Sequence, residues 1–86
     1  MKIAVIDFET ADTGADSACA LGLIVLEQGK IVSEASYLIR PPRRQFLFTD
    51  IHGLTWNDVS ESPTFAELLP EIHRDLSGSQ YIPAHN

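Results

Sequence analysis

The stretch Lys2-Ile3-Ala4-Val5-Ile6-Asp7-Phe8-Glu9 decides the fold, because it joins an apolar, β-branched run to two acidic residues at its end. Such a run, bounded by polar residues, predicts a β-strand that is buried on both faces. Side chains alternate along a strand, so we expect Asp7 and Glu9 on one face, with Cα atoms roughly 6.5–7 Å apart. The start of the chain therefore predicts a buried strand that ends in a pair of carboxylates.

Two further strands and a turn follow this first strand. Residues 10–17 are small and polar, which is typical of a loop, and residues 19–28 are apolar again. Gln28-Gly29 begins a tight turn, and residues 30–40 alternate between two faces with a period of two. Pro41-Pro42 ends the third strand because proline cannot donate to a β-ladder. The pattern predicts an antiparallel hairpin.

The second half of the chain predicts an amphipathic helix and a last strand. Residues 45–61 lack sustained periodicity, and we expect a loop there with a short helical turn near Phe48–His52. Ser62-Pro63 predicts the helix start, with serine as the N-cap, and Pro70 predicts a kink. Residues 80–84, after Gly78, are extended and apolar. The apolar helix positions recur every three or four residues: Phe65, Leu68, Leu69, Ile72 and Leu76.

The order of these elements predicts an α/β fold. A helical crossover into the last strand favours a parallel partner, and the first strand is the best candidate. We therefore expect a mixed sheet of three antiparallel strands, then a helix, then a strand parallel to the first. No helix follows the last strand within residues 1–86, which is unusual for a finished α/β layer and predicts a truncated fold.

Composition limits the class of protein. The 86 residues allow one small domain, and 44% apolar with 21% charged residues is typical of a globular chain. No apolar run approaches the ~20 residues of a membrane span, and the first residues do not form a signal peptide. The single cysteine, Cys19, gives no internal disulfide, so we expect a cytoplasmic location and no membrane partner. The net charge of −6 argues mildly against nucleic-acid binding by bulk charge.

Asp7 and Glu9 are the strongest local signal for chemistry. Two carboxylates on one face repel each other unless a cation lies between them, and oxygen ligands suit Mg²⁺ or Mn²⁺. A site with two such ions activates water for attack on a phosphodiester. The spacing leaves one alternative open, namely that both carboxylates lie beyond the strand end, in solvent.

Four short segments, in order, extend the metal-site hypothesis over almost the whole chain. Ile6-Asp7-Phe8-Glu9-Thr10 resembles the first motif of the DEDD 3′→5′ exonucleases of the proofreading, DnaQ-like type, and residues 21–25 resemble that family's second strand. Residues 51–55 and 62–65 resemble the segment before its helix, and Ala84-His85-Asn86 resembles the opening of its second motif. The resemblance implies a ribonuclease H-like fold that removes nucleotides from a DNA or RNA 3′ end with two Mg²⁺ or Mn²⁺ ions.

The resemblance also assigns roles to individual positions. Asp7 and Glu9 match the first two catalytic, metal-binding carboxylates, and Thr10 matches a residue near the terminal 3′-hydroxyl. Phe8 lies between the two ligands, where its backbone would approach the terminal nucleotide of the implied partner, a single-stranded DNA or RNA 3′ end. The other implied substrate-binding positions are Ile51 and His52, which line the pocket for the terminal base and sugar, and Asn86 near the scissile end.

The chain also departs from the family pattern. The family's second motif continues to a Phe-Asp pair, and its third motif supplies a histidine base and a fourth carboxylate, none of which occurs within residues 1–86. Ala20 stands where the family often has glutamate. The resemblance therefore implies that residues 1–86 are the N-terminal portion of a ribonuclease H-like exonuclease domain, inactive alone.

A second hypothesis is a non-catalytic module that binds a protein through the exposed edge of its last strand, by strand addition or as a homodimer. The arginines within residues 40–44 either contact phosphate or belong to a solvated loop, and we favour the loop. Phe46, Phe48 and Trp56 either stack on bases or close a small core, and we favour the core. Cys19 is expected to be a small buried side chain.

Overall fold

The chain forms one four-stranded mixed sheet. This computed structural model describes the backbone of residues 1–83 and the side chains of residues 1–80. The elements are β1 (Lys2–Thr10), β2 (Ala18–Glu27), β3 (Lys30–Leu38), α1 (Thr49–His52), α2 (Trp56–Val59), α3 (Phe65–Leu76) and β4 (Gln80–Pro83). The strands lie in the order β3-β2-β1-β4, with β1 antiparallel to β2 and parallel to β4. The predicted α/β architecture and its parallel last strand are confirmed.

The β2–β3 connection is a two-residue hairpin turn. Gln28 and Gly29 both have positive φ, 53° and 78°, which is the backbone conformation of a type I′ turn. This turn matches the right-handed twist of the flanking strands, so it sets the β2–β3 register. The register aligns Gly22 of β2 with Ser36 of β3, and with Asp7 of β1 on its other side.

The main core lies on one face of the sheet, between the strands and α3. It contains small and aliphatic side chains from β1, β2 and α3, together with Ile39: Ala4, Leu21, Leu23, Val25, Ile39, Leu68, Ile72 and Leu76. The opposite face stays partly open, because Val5 and Asp7 are only half-buried there and Ile24 is exposed. The prediction that β1 is buried on both faces is therefore wrong for the described chain, since α3 covers one face of the sheet.

A second, smaller core lies under the loops that follow β3. Ala11, Cys19 and Val59 are fully buried in it, and Phe46, Leu54 and Trp56 pack against them. This confirms the core interpretation for Phe46 and Trp56, and the expectation that Cys19 is buried. Helix α2, which supplies Val59, was absent from the predicted elements, and the helical turn near Phe48–His52 is present as α1.

Helix α3 begins two residues later than Ser62-Pro63 predicts. Its N-cap is Thr64, whose hydroxyl accepts the Glu67 N–H at 3.3 Å while the Glu67 carboxylate accepts the Thr64 N–H at 2.9 Å. This reciprocal pair, a capping box, satisfies two amides, which explains the later start. The helix runs through Pro70, an exposed residue, and ends before Gly78, whose φ is 79°. At 12 residues α3 is the longest helix, and none within residues 1–83 is long and apolar enough to cross a membrane.

Candidate active site

Asp7 and Glu9 lie on the open face of the sheet, within strand β1. Both side chains are half-buried, and the two residues line one groove of about 340 Å³. Asp7 also lines a neighbouring groove of about 410 Å³, which extends towards β3. The alternative that both carboxylates lie beyond the strand end, in solvent, is therefore wrong. Phe8, between them, points to the opposite face, where its ring lies 6.1 Å from that of Phe65.

Asp7 has an unsatisfied carboxylate oxygen. Its Oδ1 atom is buried and has no hydrogen-bond partner among the described residues. A buried oxygen without a partner costs free energy unless a donor or a cation reaches it, and carboxylate oxygens are the ligands that Mg²⁺ and Mn²⁺ prefer. The donor set therefore fits a divalent cation. Within residues 1–83, no group of three or more His, Cys, Asp or Glu side chains is arranged to hold a metal ion.

A separate cleft of about 220 Å³ lies at the C-terminal end of β1. It is formed by the last residues of that strand together with α1 and the residue before it: Phe8, Glu9, Thr10, Phe48, Ile51 and His52. Five of the seven sequence-predicted site residues thus meet in one cleft. Asp7 lies outside this cleft, but Glu9 lines both the cleft and the groove that holds Asp7. Asn86 lies outside the described residues.

One hydrogen bond from His52 fastens α1 to the end of β1. The His52 Nε2 atom donates to the Thr10 carbonyl oxygen at 3.0 Å, and Nδ1 accepts the Leu54 N–H at 3.0 Å. The buried Cys19 thiol donates to the Glu9 carbonyl oxygen at 3.5 Å, and burial, followed by the charge of Glu9, raises the pKa of that thiol. These contacts hold the backbone that carries Glu9 and Thr10.

Comparison with known proteins finds relatives that are similar in sequence and in fold. No protein-family profile matches the chain. The chain is 34% identical over 85 residues to a PolC-type DNA polymerase III from Thermotoga petrophila and to one from Thermotoga maritima, in each case over 95% of the chain. Exonuclease X, in a complex with 5′-overhanging duplex DNA, matches with a TM-score of 0.77 and 27% identity over 94% of the chain. The chain is related to the DnaQ-like 3′→5′ exonucleases of the DEDD superfamily.

The match covers less than half of each relative. The chain spans 6% of either polymerase and 47% of exonuclease X. A 3′-exonuclease described in 3′-end-specific recognition of a histone mRNA stem-loop shares the fold, with a TM-score of 0.74 and 20% identity over 95% of this chain and 34% of its own. The predicted ribonuclease H-like fold is confirmed by these exonuclease structures.

Three arginines of the present chain make side-chain contacts that the sequence did not reveal. Arg43 donates to both carboxylates of the β1–β2 loop, with N···O distances of 3.0 Å twice to Asp12 and of 3.1 and 2.7 Å to Asp16. Arg40 lies 3.7 Å from the Glu67 carboxylate, and the Arg44 guanidinium lies 5.5 Å from the centre of the Trp56 ring. The prediction that residues 40–44 form a solvated loop is confirmed, since Arg43 and Arg44 are exposed, but the contacts of its arginines were not predicted.

The Arg43 clamp, defined as Arg43 with Asp12 and Asp16, orders the loop that follows Thr10. Asp12 is 5% exposed, and its carboxylate also accepts the Gly14 N–H at 2.7 Å. The Arg43 guanidinium lowers the pKa of both carboxyl groups, and the Gly14 amide lowers that of Asp12 further. The acidic pair flanking Gly14 was visible in the sequence, but its partner lies 27 to 31 residues away.

Proposed function

We propose that residues 1–86 are the N-terminal portion of a 3′→5′ exonuclease domain, which hydrolyses nucleotides from the 3′ end of DNA or RNA by a two-metal mechanism. The observation that carries the proposal is the position of Glu9. It lines the groove that holds Asp7 and also the cleft that holds Thr10, Ile51 and His52. The proposed cation ligands and the proposed nucleotide cleft thus share one residue.

Asp7 and Glu9 would hold the divalent cations in this proposal. The unpaired Oδ1 atom of Asp7 supports that role, as does the location of both carboxylates on one face of β1. When bound, a pair of Mg²⁺ or Mn²⁺ ions would activate water and stabilise the leaving 3′ oxygen. Two carboxylates are fewer ligands than two such ions need, so we expect residues 1–86 to be inactive alone.

The cleft at the end of β1 would receive the terminal nucleotide. Ile51, whose side chain is 79% exposed, offers an apolar surface to a base, and Thr10 offers a hydroxyl near the strand end. The Phe8 backbone lies between the two carboxylates, so a nucleotide held there would have its terminal phosphodiester near Asp7 and Glu9. Asn86 takes its proposed role from the family resemblance.

Manganese titration tests the proposed cation site. We expect residues 1–86 to bind Mn²⁺ weakly and Asp7→Ala to lose most of that binding. Calorimetry or the electron paramagnetic resonance of free Mn²⁺ measures the binding. The control is Glu61→Ala, which removes the same charge from an exposed loop outside the grooves. Equal binding by Asp7→Ala and the wild type would contradict the proposal.

A nuclease assay tests the proposed reaction. The gene product that contains the downstream sequence should release mononucleotides from 5′-labelled single-stranded DNA or RNA, and Glu9→Ala should abolish the release. Residues 1–86 alone should leave both substrates intact. Release that begins at the 5′ end, or that persists in Glu9→Ala, would refute the assignment.

The second candidate, a protein-interaction module or homodimer through β4, has weaker support. Strand β4 is an edge of the described sheet, but its pairing with β1 covers only four residues, Gln80–Pro83. Proline lacks an N–H, so Pro83 would weaken any ladder with another chain. Light scattering separates the two candidates, because a dimer that dissociates on shortening β4 would favour the module.

A further inference from the structure

Gly22 lies directly opposite the proposed cation ligand Asp7. The two residues are Cα partners in the antiparallel β1–β2 ladder, and their side-chain positions therefore share the open face of the sheet. Cβ atoms of residues paired in this way lie about 4.5–5.5 Å apart. Since glycine has no side chain, the side-chain position across the ladder from Asp7 is empty.

The empty position is part of both grooves on the open face. Gly22 and Asp7 line the groove of about 410 Å³ and also the groove of about 340 Å³. Ser36, another small residue, is the partner of Gly22 on the far strand and lines both as well. The side chains directly across the ladder from Asp7 are thus missing or small, although Val5, Ile24 and Glu34 also line the larger groove.

Neither backbone conformation nor space requires glycine at this position. Gly22 is absent from the glycines with positive φ, which are Gly29, Gly53 and Gly78. A Cβ atom added at Gly22 would approach only the Asp7 backbone oxygen, at 3.8 Å, which is an ordinary van der Waals distance. Glycine weakens a strand interior, because it has the highest conformational entropy when unfolded and no side chain to pack.

We propose that Gly22 is a positioning residue that leaves room next to Asp7 for a divalent cation and its water ligands. Mg²⁺ and Mn²⁺ retain several waters when carboxylates bind them, so the cation needs more room than a bare ion. A branched side chain at position 22 would occupy that room while the strand pairing stays intact. The inference rests on the proposed function, because it takes Asp7 as a cation ligand.

Mn²⁺ titration of residues 1–86 tests the proposal with Gly22→Ala, Gly22→Val and a matched control, Ser33→Val. Ser33 is an exposed residue of β3 that lines neither groove, so its substitution adds bulk to the same sheet without approaching Asp7. We expect Gly22→Val to weaken Mn²⁺ binding about 10- to 100-fold, the usual effect of disturbing groups around a metal site, and Gly22→Ala to weaken it less. Ser33→Val should bind like the wild type.

The structural readout is independent of the metal. Valine favours strands, so the far-ultraviolet circular dichroism of Gly22→Val should be unchanged and its melting temperature equal or higher. Weaker Mn²⁺ binding in a folded variant therefore supports the proposal. If Gly22→Val does not fold, Gly22→Ala decides, and unchanged binding by Gly22→Ala then overturns the proposal.

The outcomes separate this inference from the proposed function. If the wild type binds Mn²⁺, Asp7→Ala reduces the binding and folded Gly22→Val binds within twofold of the wild type, the role of Gly22 is refuted while the proposed cation site stands. If the wild type does not bind Mn²⁺ or Asp7→Ala has no effect, the cation site and the role of Gly22 fall together.

Discussion

At the scale of single residues, one hydrogen bond joins the edge of the sheet to the helix. The Tyr37 hydroxyl of β3 donates to the Asp75 carboxylate of α3. This bond stabilises the protonated phenol next to a negative charge, and with burial it raises the pKa of Tyr37 to about 12. A neutral phenol is thus favoured in the folded chain, so the bond stabilises the fold below the ordinary tyrosine pKa.

We predict that Tyr37 titrates near pH 12 in the folded chain and nearer its ordinary pKa, about 10, in Asp75→Asn. The stabilisation is complete below about pH 10 and is lost as the pH rises through 12, because the unfolded chain ionises first. Ultraviolet absorbance of phenolate measures this in a Tyr81→Phe background, in which Tyr37 is the only tyrosine. The control is Asp50→Asn, which removes a carboxylate from an exposed position of α1. An ordinary Tyr37 titration in the Tyr81→Phe background would contradict the prediction.

At the scale of elements, the start of α3 shows where local patterns mislead. Ser62-Pro63 matches a helix start, but the Ser62 N–H donates to the Val59 carbonyl oxygen at the end of α2. Thr64 is followed three residues later by Glu67, and this pair forms the capping box. Since α2 was not predicted, the sequence did not show that the Ser62 N–H bonds to the end of that helix.

Substitution of the two candidate caps should give unequal effects. We predict that Thr64→Ala lowers the free energy of unfolding by about 1 kcal/mol, because the Glu67 N–H loses its acceptor. Ser62→Ala is the matched control and should change stability by less than about 0.5 kcal/mol, as for other substitutions away from caps and cores. Urea denaturation measures the free energy of unfolding of both variants, and equal losses would contradict the assignment of Thr64 as the N-cap.

The predictable elements are those whose evidence is local. Period-two alternation and the Gln28-Gly29 turn revealed the hairpin, and the spacing of apolar residues revealed α3. Helix α2 has four residues, too few to show a helical period. For the site, strand alternation placed Asp7 and Glu9 on one face, while the cleft with Ile51 and His52 came from the resemblance alone. The Arg43 clamp joins residues distant in sequence, so no local pattern reports it.

The Arg43 clamp connects two distant segments, the loop after β1 and the segment after β3. It complements another contact between these segments, in which the Leu47 N–H donates to the Ala11 carbonyl oxygen at 2.7 Å. Arginine suits this role because its planar guanidinium can bind two carboxylates with paired hydrogen bonds, whereas lysine is a point charge. The clamp therefore fixes the position of the loop after β1 against the segment after β3.

The clamp should make stability depend on pH in the acid range. Since Arg43 lowers the pKa of Asp12 and Asp16, their contribution is present above the ordinary aspartate pKa of about 3.9 and is lost as the pH falls through the lowered values. We predict that Arg43→Gln lowers the melting temperature at pH 7 and that its difference from the wild type shrinks below about pH 4.

The control for the clamp is Arg74→Gln, which removes the same charge from an exposed position on α3. It should change the melting temperature little at either pH. A difference between Arg43→Gln and the wild type that stays constant from pH 7 to pH 3 would contradict the assignment of the acid response to Asp12 and Asp16. Arg43→Lys should lie between the wild type and Arg43→Gln.

The two hydrogen bonds of His52 also limit its chemistry. Nδ1 accepts from the Leu54 amide and Nε2 donates to the Thr10 carbonyl, so both ring nitrogens are engaged with the backbone. Its basic lone pair points into the polypeptide backbone instead of towards a water molecule in the cleft. A water molecule in the cleft beside Glu9 would therefore compete with the Leu54 N–H for this lone pair. In the proposed function, the proton acceptor would therefore be a group other than His52.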